Sequence, residues 1–289
     1  MSLKKFIKRG FQYIVHGVPT NHVVASVVSL SPSELLKGRC ALITGGSSGI
    51  GYAIAQAFVN AGASVIITGR NEQRLAESCE FLNNSTNRKD VAFGFKMDVK
   101  SLDDIKTSLK SIYTAISPKK IDILVNNAGV IGEIGIADVQ ENMFDDVIST
   151  NIKGPFFLSA FVGQYMKENG IEGNIINILS SSSLRPANSA YGISKWGMLG
   201  FTQGLAKSLA PYGITVNGLA PGPTATPMLA VDKENIYRKG LLGRYILPVE
   251  IANMAVILVS SLSKAIIGDT VYMTGGCGLL SNDDIPCKF

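Results

Sequence analysis

Histidine is almost missing from this chain: His16 and His22 are the only two in 289 residues, and both fall before residue 38. A hydrolytic triad built on histidine is therefore excluded from the main body, and a His-rich metal site nearly so. The four cysteines, Cys40, Cys79, Cys277 and Cys287, have neither zinc-ligand spacing nor a CxxC pair. That usage fits a reducing compartment and leads us to expect no metal. No apolar run reaches the roughly 20 residues of a membrane-spanning helix. Excess charge is also small: 27 basic against 22 acidic residues give +5, and Lys4, Lys5, Lys8 and Arg9 carry much of it. Nothing global marks a nucleic-acid surface, and no paired aromatic platform or reader module is present, so no nucleic-acid partner is expected.

The basic, partly apolar opening MSLKKFIKRGFQYIVHGV lacks a signal-peptide core and cleavage site. It reads as a surface arm, with a membrane-surface or partner-binding helix and an organelle-targeting segment as alternatives. A cytoplasmic location is the expectation for the chain as a whole.

What is present is alternation. Residues 1–37 form an extension, 38–281 a single domain, and 282–289 a tail. Within the domain, short apolar strands (CALIT, SVIITG, VAFGFKMDV, IDILVNNAG, GNIINILS, ITVNGLAPG, DTVYMTGG) alternate with helical stretches. One of these, MFDDVISTNIKGPFFLSAFVGQYMKENG, reads as a long helical region. Strand–helix alternation of this kind predicts an α/β, doubly wound fold with a mainly parallel central sheet flanked by helices.

The first strand runs straight into Thr44-Gly45-Gly46-Ser47-Ser48-Gly49-Ile50-Gly51 and then a helix. Glycine permits positive φ and close backbone approach, and the helix start offers free N–H groups to a pyrophosphate. The second strand ends at Gly69-Arg70, where a carboxylate would meet a free ribose. Arg70 offers instead a partner for a 2′-phosphate, which favours NADP(H) and leaves NAD(H) as the alternative. Asp98 at the next strand end is placed to hold an adenine amino group, with Val99 beside the ring.

Tyr191 and Lys195 stand four residues apart near the start of an apolar helix, so both share one face. A phenol near pKa 10 is a weak acid–base group at neutral pH, and a neighbouring ammonium would favour its phenolate. Alone, such a pair also arises by chance on ordinary helices.

Taken together, TGGSSGIG, the NNAG of Asn126 to Gly129, Asn151, the serine run, YGISK and PGPTATPM resemble the short-chain dehydrogenase/reductase superfamily. The resemblance is to its single-domain type, spans roughly residues 38–280, and is similar to 3-oxoacyl-carrier-protein reductases, sugar and gluconate dehydrogenases and hydroxysteroid dehydrogenases. It implies a Rossmann fold and hydride transfer between a nicotinamide and a carbonyl or secondary alcohol. Tyr191 would be the proton donor in reduction, and Lys195 would lower its pKa and hold the nicotinamide ribose. Asn151 would support the helix and a water-linked path to Lys195. Gly45, Ser47, Ser48, Gly49, Ile50 and Gly51 would lie around the pyrophosphate and nicotinamide. Asn127, Ala128 and Gly129 would line the cleft, with Pro221, Gly222, Thr224 and Thr226 around the nicotinamide and its carboxamide.

The serine departs from the family pattern. The family position thirteen before the tyrosine is Ile178 here, and alignment after the strand selects Ser180, with Ser181 and Ser182 as alternatives. The resemblance also implies a homotetramer or homodimer. Substrate choice would lie in the loop after NNAG and in Met228 to Leu247, where apolar residues mix with Lys233, Arg238, Lys239 and Arg244. Such a surface suits a small carbonyl or alcohol, including one linked to a carrier or thioester. A non-catalytic cofactor-binding scaffold or sensor is the reading of a different class.

Overall fold

The computed structural model of the chain describes residues 34–132, 135–137, 139–229 and 236–277. Expectations placed on the N-terminal arm before residue 34 and on the tail at 282–289 lie outside the described residues.

Seven short strands form one sheet: β1 (Cys40–Thr44), β2 (Ser64–Gly69), β3 (Ala92–Lys96), β4 (Ile123–Asn126), β5 (Asn174–Ile178), β6 (Thr215–Pro221) and β7 (Thr270–Met273). Their order is β3-β2-β1-β4-β5-β6-β7, and every neighbouring pair is parallel. A parallel sheet covered on both faces needs strands apolar on both sides, which is what CALIT and SVIIT supply.

The helices divide between those faces. α1 (Gly49–Asn60), α2 (Glu72–Asn84) and a late helix, numbered α7 below (Pro248–Val259), cover one side. There Ile54, Phe58, Leu75, Ile251 and Val256 pack on Ala41, Ile43 and Val65. α3 (Leu102–Ile116), α5 (Gly154–Glu168) and α6 (Ala190–Leu209) cover the other, with Ile105, Leu158, Val162 and Ala206 on Leu42, Ile66 and Leu124. Leu36 is fully buried in the first cluster and its N–H donates to Ala61 O at 2.8 Å. Leu36 thus packs with the body of the sheet and its helices.

The long helical region expected before β5 is not continuous. α4 (Glu141–Ile148) passes into a π-helical turn, Ser149–Lys153, before α5 begins. The wider turn carries buried Thr150 and Asn151.

Beneath the site, four side chains cross the sheet in one polar ladder. Asn126 of β4 donates to Ser159 Oγ and to Asn177 Oδ1, both at 2.8 Å; Asn177 of β5 donates to Thr202 Oγ1 at 2.9 Å. Asn126 and Asn177 are register partners, and all four residues are buried.

Because β1 pairs with β2 on one side and β4 on the other, the winding direction reverses between β1 and β4. The crevice at the carboxyl ends of these two strands is where this architecture places ligands.

Candidate functional site

The turn after β1 owes its shape to its glycines. Gly45 and Gly49 have φ of +63° and +56°. A Cβ at Gly51 would stand 2.4 Å from Asn127 Nδ2 and 2.5 Å from Gly45 O, so any side chain there would break the turn. Asn127 in turn ties the neighbouring strand end to the turn by donating to Thr44 O at 2.9 Å and Gly45 O at 3.2 Å.

The starts of α2, α3 and α6 are capped by side chains: Asn71 accepts from Arg74 N, Ser101 from Asp104 N and Ser189 from Gly192 N. α1 differs. Ser48 stands at its N-cap with extended backbone and makes no capping bond, leaving first-turn N–H groups for another acceptor.

That helix start opens onto a cavity of about 700 Å³. Most of the residues singled out in the sequence border it. They are Gly45, Ser47, Ser48, Gly49 and Ile50; Arg70, Asp98 and Val99; Asn127, Ala128 and Gly129; Ser180, Tyr191 and Lys195; and Pro221, Gly222, Thr224 and Thr226. Two expected residues stand behind the wall. Gly51 is buried in the first turn of α1, where its missing Cβ makes room for Asn127. Asn151 is buried in the π turn, accepting from Val130 N and donating to Val130 O, both at 2.9 Å, and to Ser194 Oγ at 3.0 Å.

Tyr191 and Lys195 share one face of α6, with Nζ 5.5 Å from the phenol ring centroid. Lys195 is buried and its Nζ donates to Ile178 O at 2.9 Å. Desolvation lowers its pKa to about 8. Burial also holds the Tyr191 phenol above its ordinary value, opposed by a hydrogen bond with Ser180. The lowering expected from the Lys195 ammonium is not seen: burial raises the phenol and the Ser180 hydrogen bond alone opposes it. Ser180, whose hydrogen bond lowers the Tyr191 phenol, also accepts from Ser182 N at 3.1 Å. Ser181 and Ser182 border the cavity as well.

Other groups on the wall were not singled out from the sequence. Arg74 lies one helical turn past Arg70, a spacing that could have flagged it, and both are exposed without an ion pair or side-chain hydrogen bond among the described residues. Arg185, Arg238 and Tyr245 come from the loops after β5 and β6. Arg238 falls in the basic stretch already noted, but its convergence with Arg185 has no sequence signal because 53 positions separate them.

A doubly wound parallel sheet with an uncapped glycine-rich helix start at its switch point defines a dinucleotide-binding α/β protein. Residues 39–236 match the family described as short chain dehydrogenase, and the chain belongs to the short-chain dehydrogenase/reductase family of oxidoreductases. It is 35% identical to a 3-oxoacyl-[acyl-carrier-protein] reductase of Aquifex aeolicus, over 83% of this chain and 98% of that one. It is 32% identical to a 2-dehydro-3-deoxy-D-gluconate 5-dehydrogenase of Formosa agariphila, over 83% of this chain and 93% of that one. Among solved structures, a variant of actinorhodin polyketide ketoreductase with NADPH matches with TM-score 0.76 at 31% identity, covering 83% of this chain and 97% of that one. Among the described residues, no helix is long and apolar enough to cross a membrane.

Proposed function

We propose that the chain is an NADP(H)-dependent reductase of a carbonyl to a secondary alcohol, working through Ser180, Tyr191, Lys195 and Asn151. The observation that carries this reading is the Tyr191–Lys195–Ser180 cluster on the wall of the cavity that the glycine turn opens. The residues present fit a phosphorylated dinucleotide. The Gly51 gap and the uncapped α1 suit a pyrophosphate, and the unpaired Arg70 and Arg74 suit a 2′-phosphate. When bound, such a cofactor supplies the hydride.

The chain's own residues supply the rest. Ser180 and Tyr191 donate hydrogen bonds to the substrate oxygen and fix the carbonyl against the cleft floor. As negative charge gathers on that oxygen, Tyr191 delivers its phenolic proton. Burial keeps the phenol protonated at neutral pH, the state reduction needs, so the reverse oxidation should accelerate as pH rises. Lys195 meets the phenolate left behind with its ammonium. Asn151 positions the strand end through both backbone groups of Val130. At Gly129 a Cβ would lie 3.3 Å from Asn151 Oδ1 and 3.9 Å from Lys195 Nζ, so the glycine lets this strand end pass close to both side chains.

The relatives' names supply two substrate classes, carrier-linked 3-oxoacyl thioesters and sugar acids, and we infer that the substrate of this chain is one of them. We further infer self-assembly through α4–α6, which expose Phe144, Phe156, Ile193 and Trp196. Light scattering behind gel filtration reads the resulting dimer or tetramer.

Absorbance of the reduced nicotinamide tests the main reading, with NADPH and NADH offered against 3-oxoacyl thioesters, keto-sugar acids and diketones. Turnover should prefer NADPH, and Tyr191→Phe should lower kcat by roughly 10²- to 10⁴-fold. Preference for NADH removes the role given to Arg70 and Arg74. Cofactor binding without turnover anywhere in the panel points instead to a cofactor-binding scaffold.

A further inference from the structure

Arg185 and Arg238 both line the cavity, Arg185 with its N–H on Ser182 O and Arg238 over the Tyr245 ring. They reach this wall from distant parts of the chain, yet both contact Cys277. Arg185 donates to its carbonyl and Arg238 Nη1 lies 3.2 Å from its Sγ. Their remaining contacts are neutral: Arg238 donates to Lys239 O at 3.5 Å and lies over the Tyr245 ring at 5.9 Å. Neither guanidinium meets a carboxylate among the described residues.

The same neighbourhood shows what a structural arginine looks like. Arg244, six positions from Arg238, makes a two-pronged pair with Glu250 at 2.7 and 2.9 Å. Arg39 is likewise held by Asp122. Two guanidiniums brought to one residue, with no counter-charge among the described residues, repel each other, and among those residues each keeps most of its five donors free. An oxyanion between them would remove the repulsion and accept charge-assisted hydrogen bonds.

We propose that Arg185 and Arg238 form an anion subsite that selects substrates carrying a phosphate or carboxylate beyond the reacting carbonyl. This rests on the reductase reading and narrows its substrate class. The subsite is separate in the fold from Arg70 and Arg74: Arg185 ends the turn that begins at Ser180 and Arg238 follows β6, while Arg70 and Arg74 stand at the end of β2. Phosphate and carboxylate share the recognising chemistry, so the source is left to the experiment.

Calorimetric titration with NADP+ in excess compares two pairs of probes: 4′-phosphopantetheine against pantetheine, and 5-keto-D-gluconate against L-sorbose. At least one anionic member should bind about 10-fold or more tighter than its neutral partner, as expected for charge-assisted hydrogen bonds. Arg185→Gln and Arg238→Gln should each erase most of that difference, and Arg238→Lys should keep part of it. The pair showing the preference names the source. No preference in either pair, or a preference lost in Arg70→Gln and Arg74→Gln instead, overturns the subsite. The readout is binding and does not depend on turnover, so failure of the reductase reading is seen separately in the nicotinamide assay.

Discussion

The two ends of the cavity are built on opposite plans. At the dinucleotide end, the shape is made by backbone. Gly45 and Gly49 hold positive φ, Gly51 leaves space that Asn127 fills, and the α1 start is left uncapped. At the substrate end the wall is made by long side chains on loops: Arg185, Met228, Leu229, Arg238 and Tyr245. Backbone-built sites tolerate almost no substitution, because a single Cβ collides with atoms that cannot move away. Side-chain-built sites can be re-aimed one residue at a time. The comparison teaches where chemistry is fixed and where selectivity is free to vary.

The sharpest way to break this comparison is Gly51→Ala. Its Cβ would come within 2.5 Å of a backbone oxygen and the Asn127 amide. We expect a loss of about 3 kcal/mol or more, at the upper end of overpacking costs, together with loss of NADPH binding. Urea unfolding and nucleotide titration read both.

Lys195→Met should separate function from stability. Turnover should vanish, while the folded state should gain roughly 1–3 kcal/mol, less the cost of leaving the Ile178 carbonyl unpaired. The sign follows from the buried ammonium, whose pKa falls from 10.5 to about 8 in the folded chain. Between those values the unfolded chain holds a proton that the folded chain lacks, so wild-type stability should gain a rising contribution with pH across that window. The Met variant should lack that contribution. Unfolding midpoints at pH 7, 9 and 10.5 would show it, and parallel wild-type and variant curves would remove it.

Arg70→Gln with Arg74→Gln should cut the NADPH-over-NADH preference by about 10- to 100-fold, through kcat/KM. An unchanged ratio would move phosphate recognition elsewhere on the wall. The smallest effect is expected for Leu241→Ser, on the loop between Arg238 and Arg244. This side chain is 77% exposed, and its loss should change stability by less than about 0.5 kcal/mol. A larger change in urea midpoint would mean that the loop end is as rigidly determined as the glycine end.

The same division governs how much could be read from sequence. The glycine turn, the apolar strands and the Tyr191–Lys195 spacing are local patterns, and local geometry follows from them directly. The sheet is wholly parallel where a mainly parallel one was expected. The π turn at Ser149–Lys153 was not legible, because a π turn keeps helical periodicity on both sides and shifts only the phase between them. Asn151 was expected at the site, and its side chain is spent on Val130 and Ser194 behind the wall. Arg185 and Arg238 were illegible as a pair because their meeting depends on how two loops fold over the ends of β5 and β6. Ser180 lay between these cases: the strand end located the serine run, and all three candidates, Ser180, Ser181 and Ser182, border the cavity.

The carboxamide ladder under the cleft has one more consequence, for how the sheet assembles. Asn126 and Asn177 face each other only in the native pairing of β4 with β5. A slip of one residue in either direction would set Asn126 against Ile176 or Ile178, and in one direction Asn177 against Val125, stranding polar groups in a dry interior. Thr202 and Ser159 extend the same demand to α6 and α5. The ladder therefore acts as a four-part alignment key: apolar strands that could pair in several offsets are accepted in one, the one that brings Tyr191 and Ser180 together.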